Sequence, residues 1–124
     1  MKIMVVGCTH AGTAAILTAK RNFPEAEITV YERNDNISFL SCGIALYVGG
    51  VVKDPNTLFY CSPEQLRAQN VKTCMKHDVL KVDLARKTAV VKDLVTGKES
   101  QDTFDKLIIT SGSWPIKPPI QGID

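Results

Sequence analysis

The chain has 124 residues, a formal net charge of +2 and an apolar share of 44%. This length suits one domain and is too short for two of ordinary size. The basic residues form no run or stripe, so we expect no nucleic-acid partner and no membrane-surface site. No segment approaches the roughly 18 apolar residues of a membrane span, and the first residues carry too short an apolar run for a secretory signal. We therefore expect a cytoplasmic protein.

The four cysteines, Cys8, Cys42, Cys61 and Cys74, lie far apart in the sequence. Because no C-x-x-C pair is present, the sequence predicts neither a dithiol motif nor a metal site. Thiols stay reduced in the cytoplasm, so a chemically active cysteine would act as a single thiol. For Cys8, Cys61 and Cys74 we expect a packing role only.

Residues 2–32 have the pattern of a β-α-β unit. The run KIMVVG stops at Gly7 and is typical of a buried strand. AGTAAILTAKRNF predicts a helix, and EITVYE predicts a second strand that ends on Glu32. The two strands should be parallel, with a right-handed crossover. Small residues are expected to let the helix lie close to the sheet, at Ala11, Ala14, Ala15 and Ala19.

The turn after the first strand, from Gly7 to Gly12, has the sequence GCTHAG. It matches the outer glycines of G-x-G-x-x-G, a turn that presents backbone N–H groups to a pyrophosphate. Thr9 replaces the central glycine, which is tolerated if its hydroxyl turns toward the phosphate. Glu32 follows Gly12 by twenty positions, where a carboxylate accepts hydrogen bonds from an adenosine ribose. We predict a dinucleotide site; the alternative is a structural turn with a surface glutamate.

The segment SFLSCGIALYVGG places a cysteine before a short apolar helix. We expect Ser41 to cap this helix, Cys42 to lie in its first turn, and Gly49-Gly50 to end it. A helix N-terminus lowers the pKa of a thiol, which can then attack a peroxide or persist as a sulfenic acid. The alternative is a small buried apolar residue, and the residues alone leave both interpretations open.

The sequence pattern changes in the second half of the chain. Ser62 and Pro63 have the pattern of a helix start. From residue 71 to about 105, polar and apolar residues alternate as in an antiparallel meander. FDKLIITSG then predicts a return to a buried strand, followed by a turn at Thr110 to Gly112. A meander followed by a T-x-G-type turn favours FAD over NAD as the dinucleotide. Residues 113–124 hold three prolines and are predicted to form a linker.

Four segments, GCTHAGTAA, VYERNDNISFLSCGIALYVGG, FDKLIIT and GSWPIKPPIQGID, closely resemble the N-terminal part of bacterial water-forming NADH oxidases. These belong to the single-cysteine flavoprotein disulfide reductases, within the pyridine nucleotide-disulfide oxidoreductases. The resemblance implies an α/β fold: a Rossmann-like FAD-binding domain at residues 1–112 with a parallel sheet, helices and an inserted antiparallel β-meander. Residues 113–124 would then lead toward an NADH-binding domain that is absent from this chain.

The resemblance also implies a site and a reaction. Cys42 would cycle between thiol and sulfenic acid beside the flavin, and His10 would be the active-site acid/base group. Two NADH would reduce one O₂ molecule to two water molecules through FAD. From the residues alone, His10 could equally be structural or close to phosphate, and His77 is expected at the surface. The implied cofactor-binding residues are Gly7, Thr9, His10, Ala11, Gly12, Glu32, Arg33, Cys42, Val79, Thr110, Ser111 and Gly112.

Several alternatives remain at this stage. NADH peroxidase shares the cysteine and histidine chemistry but consumes H₂O₂ instead of O₂, and coenzyme A-disulfide reductase acts on that disulfide. From another class, the chain would be a non-catalytic flavin-binding or thiol redox-sensing module. Members of the resembling family are several times longer, so we expect the 124 residues alone to be inactive. Apolar surface left uncovered would allow a homo-oligomer.

Overall fold

The computed structural model describes residues 1–114 and 116–123. Two short 3₁₀ turns, Ser41–Gly43 and Pro55–Leu58, lie in the long connection after the second strand. None of the helices in these residues is both long and apolar enough to cross a membrane. The helices and strands are β1 (Lys2–Val6), α1 (His10–Asn22), β2 (Glu27–Glu32), α2 (Ile44–Val48), α3 (Pro63–Arg67), β3 (Val71–Met75), β4 (His77–Asp83), β5 (Thr88–Asp93), β6 (Glu99–Thr103) and β7 (Lys106–Ile109).

The strands form two sheets, which confirms the predicted α/β class. A four-stranded sheet has the order β3-β2-β1-β7, and all of its neighbours are parallel. The second sheet, β4-β5-β6, is an antiparallel meander. The predicted β-α-β unit is confirmed, with Lys2 opposite Glu27 and Val6 opposite Tyr31. The predicted cap of α3 is also confirmed, since Ser62 and Gln65 form a reciprocal capping box.

Helix α1 packs on the sheet through a face that matches the expected one only in part, since Ala19 is buried and Ala15 is half-buried. Its buried residues are Gly12, Thr13, Ile16 and Ala19. Ala11 and Ala14 are exposed, so the prediction that they line the close contact is wrong. Residues three and four apart share one face of a helix, and the buried face passes through Gly12 and Ile16 rather than through the two alanines.

The meander was predicted to begin at residue 71, but it begins one strand later, at His77 in β4. Strand β3 pairs in parallel with β2 and belongs to the main sheet. Lys76 then takes a positive φ of 56° and turns the chain from one sheet to the other. The backbone of this turn is held on both sides, because Lys76 donates to the Asn34 carbonyl and accepts from the Leu94 N–H. Alternation of polar and apolar residues marks strands but not the sheet to which each strand belongs.

The middle of strand β1 is buried on both faces of the main sheet, which explains its continuous apolar run. One core lies on the α1 side and the other on the meander side, and successive residues of β1 point alternately into them. The first core includes Ile3, Val5, Ile16, Ile28, Val30 and Leu66. The second consists of Met4, Tyr31, Ala89, Val91 and Phe104.

A polar network joins the main sheet to the meander. The Tyr31 hydroxyl donates to Oδ2 of Asp102 at 2.7 Å, and Lys2 Nζ lies 3.3 Å from Oδ1 of the same carboxylate. Burial alone would raise the pKa of Asp102, but hydrogen bonds from Tyr31, the Thr103 N–H and Lys2 outweigh burial and hold that pKa below its usual range. Burial, together with Asp102, raises the pKa of Tyr31.

Replacing this carboxylate should weaken the link between the sheets. We expect Asp102→Asn to lower the free energy of unfolding by about 1 kcal/mol at pH 7, because two charge-assisted hydrogen bonds are lost or weakened. The pKa of Asp102 is lower in the folded protein than in the unfolded chain. Its stabilisation is therefore present above the unfolded value of about 3.9 and is lost as the pH falls through the folded value.

Urea unfolding at pH 7, 5 and 3 measures this effect. The difference between the two proteins should be constant from pH 7 to 5 and shrink at pH 3. Asp35→Asn serves as the control, since its ion pair with Lys76 is mostly exposed and should contribute little. Identical unfolding curves for Asp102→Asn and the wild type at pH 7 would contradict the assignment.

Candidate functional site

A cleft of about 690 Å³ lies at the carboxyl ends of the parallel strands. Strand β1 is the centre of this edge, because the chain continues to β2 on one side and returns as β7 on the other. Ligands of open α/β sheets bind at such a switch point. The cleft is lined by Val6, Gly7, Thr9, His10, Tyr31, Glu32, Arg33, Asn34, Phe39, Ser41, His77, Asp78, Val79, Thr110, Ser111, Gly112, Ser113 and Trp114.

Nine of the predicted cofactor-binding residues meet in this cleft, although they come from four separate parts of the sequence. Ala11, Gly12 and Cys42 are not among its lining residues, and their assignment stays a prediction. A second cavity of about 550 Å³ lies between residues 35–37 and 56–65, and none of the predicted residues lines it.

The first turn packs backbone against backbone with the turn after β7. Gly7 has a φ of +88°, and a Cβ there would collide with the Thr110 carbonyl oxygen. A Cβ on Gly12 would collide with the Gly7 carbonyl oxygen. The Thr110 hydroxyl donates to the Val6 and Gly7 carbonyls at 3.0 and 2.8 Å. Both glycines are therefore required by the packing of the turn itself, before any ligand is considered.

The start of α1 faces the cleft through Thr9 and His10. Thr9 is exposed and is the N-cap, but its side chain makes no capping hydrogen bond. The first turn of α1 carries no acidic residue, and its last turn carries Lys20 and Arg21. The first turn thus contributes no negative charge of its own to the positive end of the helix dipole, which suits an anionic ligand.

Glu32 is buried, with 3% of its surface exposed, so the alternative of a surface glutamate is wrong. Its Oε2 accepts from the Cys8 N–H at 2.7 Å. Its Oε1 accepts from the backbone N–H and the side-chain amide of Asn34, at 2.9 and 2.8 Å. A carboxylate has about four acceptor positions, so these bonds fix its orientation and leave little further capacity. No local sequence pattern predicted the role of Asn34.

Arg33, the meander and the segment after β7 also line the cleft. The Arg33 guanidinium lies 4.9 Å from the Trp114 ring centroid and 3.6 Å from Asp78 Oδ2. Trp114 falls within the predicted linker, yet it lines the cleft. His77, expected at the surface, is half-buried and also lines the cleft, with Nδ1 2.7 Å from the Met75 carbonyl. The Trp114 ring contacts Arg33, and the His77 ring lies 6.2 Å from the ring of Tyr31. These contacts join distant segments, so local sequence carries no signal for either ring.

His10 is exposed and begins α1. Its ring stacks on Tyr60, with centroids 5.4 Å apart and an angle of 27° between the planes. The Tyr60 hydroxyl also donates to the His10 carbonyl at 3.4 Å. The imidazole therefore lies between the cleft and the segment that carries Tyr60.

The loop around Cys42 differs from the expected helix start. Ser41–Gly43 form a 3₁₀ turn, α2 begins at Ile44, and Ser41 makes no capping hydrogen bond. The prediction that Ser41 caps a helix with Cys42 in its first turn is therefore wrong, although the expected stop at Gly49 is confirmed.

Cys42 is the exposed thiol among the four cysteines; Cys8 and Cys61 are buried and Cys74 is half-buried. Burial raises the pKa of Cys8 to about 11, with the nearby charge of Glu32 adding to the effect and a hydrogen bond with Thr13 opposing it. Burial also raises the pKa of Cys61 and of Cys74. Burial and the raised pKa values therefore disfavour reaction at the other three thiols, whereas Cys42 is accessible.

Titration with an aromatic disulfide reagent at pH 8 should detect one fast-reacting thiol per chain. At that pH a thiol with a pKa near 11 is ionised to roughly one part in a thousand. Cys42→Ser should remove the fast phase, and Cys74→Ser should leave it intact. A fast phase that survives in Cys42→Ser would show that another thiol is accessible.

Comparison with known proteins gives close relatives over the whole chain. The family model for pyridine nucleotide-disulphide oxidoreductases matches residues 1–124. An NADH oxidase from Enterococcus faecalis is 58% identical over 124 residues, which are 100% of this chain and 28% of that protein. One from Mycoplasma pneumoniae is 50% identical over 115 residues, 93% of this chain and 24% of that protein.

Solved structures agree with this relationship. The water-forming NADH oxidase from Lactobacillus brevis bound to NADH superposes with a TM-score of 0.96 at 57% identity, over 100% of this chain and 28% of that one. The reduced CoADR-RHD protein of Bacillus anthracis gives 0.91 at 32% identity, over 98% and 22%. The chain spans less than a third of the length of these relatives. Because the family model matches residues 1–124, the whole of the chain, this chain belongs to the pyridine nucleotide-disulphide oxidoreductase family.

Proposed function

We propose that this chain is the FAD-binding part of a water-forming NADH oxidase, in which Cys42 alternates between thiol and sulfenic acid. The observation that carries the proposal is the convergence of nine predicted cofactor-binding residues on one cleft at the switch point of the sheet. The activity is proposed for the longer protein, as the chain spans less than a third of the oxidases it matches.

The residues of the cleft fit an adenine dinucleotide. The Gly7–Gly12 turn and the start of α1 suit the pyrophosphate, because backbone N–H groups and the helix dipole favour a negative charge there. Glu32 offers its remaining acceptor capacity to a ribose hydroxyl. Arg33 and Val79 would border the adenosine. FAD, when bound, supplies the two-electron relay between NADH and the oxygen substrate.

Cys42 and His10 would be the side chains of this chain that act on peroxide. The Cys42 thiolate attacks hydrogen peroxide, so that an S–O bond forms, the O–O bond breaks and hydroxide leaves. His10 gives the leaving hydroxide a proton, which releases water. The sulfenic acid returns to the thiol when it takes up two electrons, supplied by NADH, and two protons, with release of a second water.

The segment of residues 58–61 supports both of these groups. Tyr60 stacks on His10, and the Leu58 carbonyl accepts from the N–H of Leu40, two residues before Cys42. A Cβ on Gly43 would collide with the Leu58 side chain, so the loop packs closely on this segment. This common support favours joint action of the histidine and the cysteine.

Oxygen consumption by the full-length protein tests the proposal. We expect two NADH oxidised per O₂ with no free H₂O₂, and about one NADH per O₂ with H₂O₂ released in Cys42→Ser, since the peroxide is then not reduced. An oxygen electrode and a peroxide assay measure both. Turnover with H₂O₂ but not O₂ would instead identify an NADH peroxidase, and dependence on coenzyme A disulfide would identify that reductase.

Flavin titration tests the cofactor site separately from turnover. We expect the 124-residue protein to bind FAD weakly, with a Kd of about micromolar or poorer, because part of the contact surface of the longer relatives is missing. Glu32→Gln should raise the Kd roughly tenfold, since an amide cannot accept all the hydrogen bonds that the carboxylate accepts. The quenching of flavin fluorescence measures it, and emission from Trp114, the sole tryptophan, gives a second signal.

Glu27→Gln is the matched control for this titration. Glu27 is exposed and lies at the other end of β2, so its replacement should leave the Kd unchanged. If Glu32→Gln and Glu27→Gln bind FAD equally well, Glu32 makes no contribution to the cofactor site.

A further inference from the structure

Ser38 lies four residues before Cys42 and has an unusual backbone. It is completely buried, and its φ is 59°. A left-handed conformation is unfavourable for a residue with a Cβ, and it persists only where the surroundings enforce it. The conformation therefore indicates that contacts hold this serine in place.

Three hydrogen bonds supply those contacts. The Ser38 N–H donates to the Cys8 carbonyl at 2.9 Å. Its hydroxyl donates to the Cys61 carbonyl at 2.6 Å and accepts from the Cys61 N–H at 2.8 Å. Cys8 belongs to the first turn and Cys61 to the segment that carries Tyr60, so one residue joins both of them to the cysteine loop.

The chain between Ser38 and Cys42 continues along the same segment. Phe39 forms an antiparallel bridge with Phe59, and their rings lie 5.2 Å apart. The next residue, Leu40, donates its N–H to Leu58 and accepts from the N–H of Gly43, which closes the turn around the cysteine. The position of Cys42 thus follows from a ladder of contacts that begins at Ser38.

We propose that Ser38 is a positioning residue for Cys42, and that its hydroxyl sets the place of the thiol relative to the first turn and His10. The proposal rests on the proposed function in taking Cys42 as the group that reacts with peroxide. The hydroxyl, rather than the volume of the side chain, is the part that acts, because it alone satisfies both backbone groups of Cys61.

Oxidation of Cys42 by added H₂O₂ in the purified protein tests this inference without NADH. Ser38→Gly adopts the positive φ without strain but lacks the hydroxyl. It should fold with a lower melting temperature, because the buried N–H and carbonyl of Cys61 lose their partner. It should form the sulfenic acid of Cys42 roughly tenfold to a hundredfold more slowly, as expected for a misplaced reacting group. Trapping with dimedone and mass spectrometry gives the rate constant, and Ser38→Ala serves as the second variant.

Ser62→Ala is the matched serine control, because it removes the cap of α3 and leaves the contacts of Ser38 intact. Its rate of sulfenic acid formation should equal that of the wild type at a lower melting temperature. A wild-type rate in Ser38→Gly would overturn the proposal, as would an equal slowing in Ser62→Ala or failure of both Ser38 variants to fold. If the wild type forms no sulfenic acid at Cys42, the proposed function fails instead.

Discussion

Both polar backbone groups of Cys8 are buried, and their hydrogen bonds reach the parts of the chain that build the site. The N–H of Cys8 is bound by Glu32 at the end of β2. Its carbonyl accepts from the Ser38 N–H and from the Thr13 hydroxyl in α1. Buried backbone groups need such partners, so the first turn, the carboxylate and the cysteine loop can be satisfied only together. The first turn of the cleft and the cysteine loop therefore share one support.

The elements that sequence predicted best are those defined by local pattern. The apolar run of β1, the turn from Gly7 to Gly12 and the acid that ends β2 lie within one β-α-β unit, in which strand, helix and strand each bear their own periodicity. The turn at Thr110 was predictable for the same reason, since it closes a short apolar strand. The expected burial of that strand is wrong, because Leu107 and Ile108 are half-buried and Ile109 is exposed. These four features place most of the cleft, because parallel strands bring their carboxyl ends to a single edge.

The remaining features depend on contacts that no local pattern records. Strand β3 joins the main sheet only because the left-handed turn at Lys76 separates it from β4. Trp114 reaches the cleft through its contact with Arg33, 81 positions earlier in the sequence. Ser38 lies in a segment that carried the family resemblance, but its role comes from Cys8 and Cys61, which are 30 and 23 residues away in the sequence. Tertiary hydrogen bonds decide such positions, and they become visible only when the chain is folded.

The burial of three of the four cysteine thiols has a consequence for handling the protein. Cys42 is exposed, whereas Cys8 and Cys61 are buried and Cys74 is half-buried in β3. Each disulfide between two copies consumes the exposed thiol of both, so storage in air can join chains into pairs through Cys42 but offers no second exposed thiol for longer polymers. A band at twice the chain mass on a non-reducing gel would then result from oxidation during storage and not from a native assembly. A reductant should convert it back to single chains.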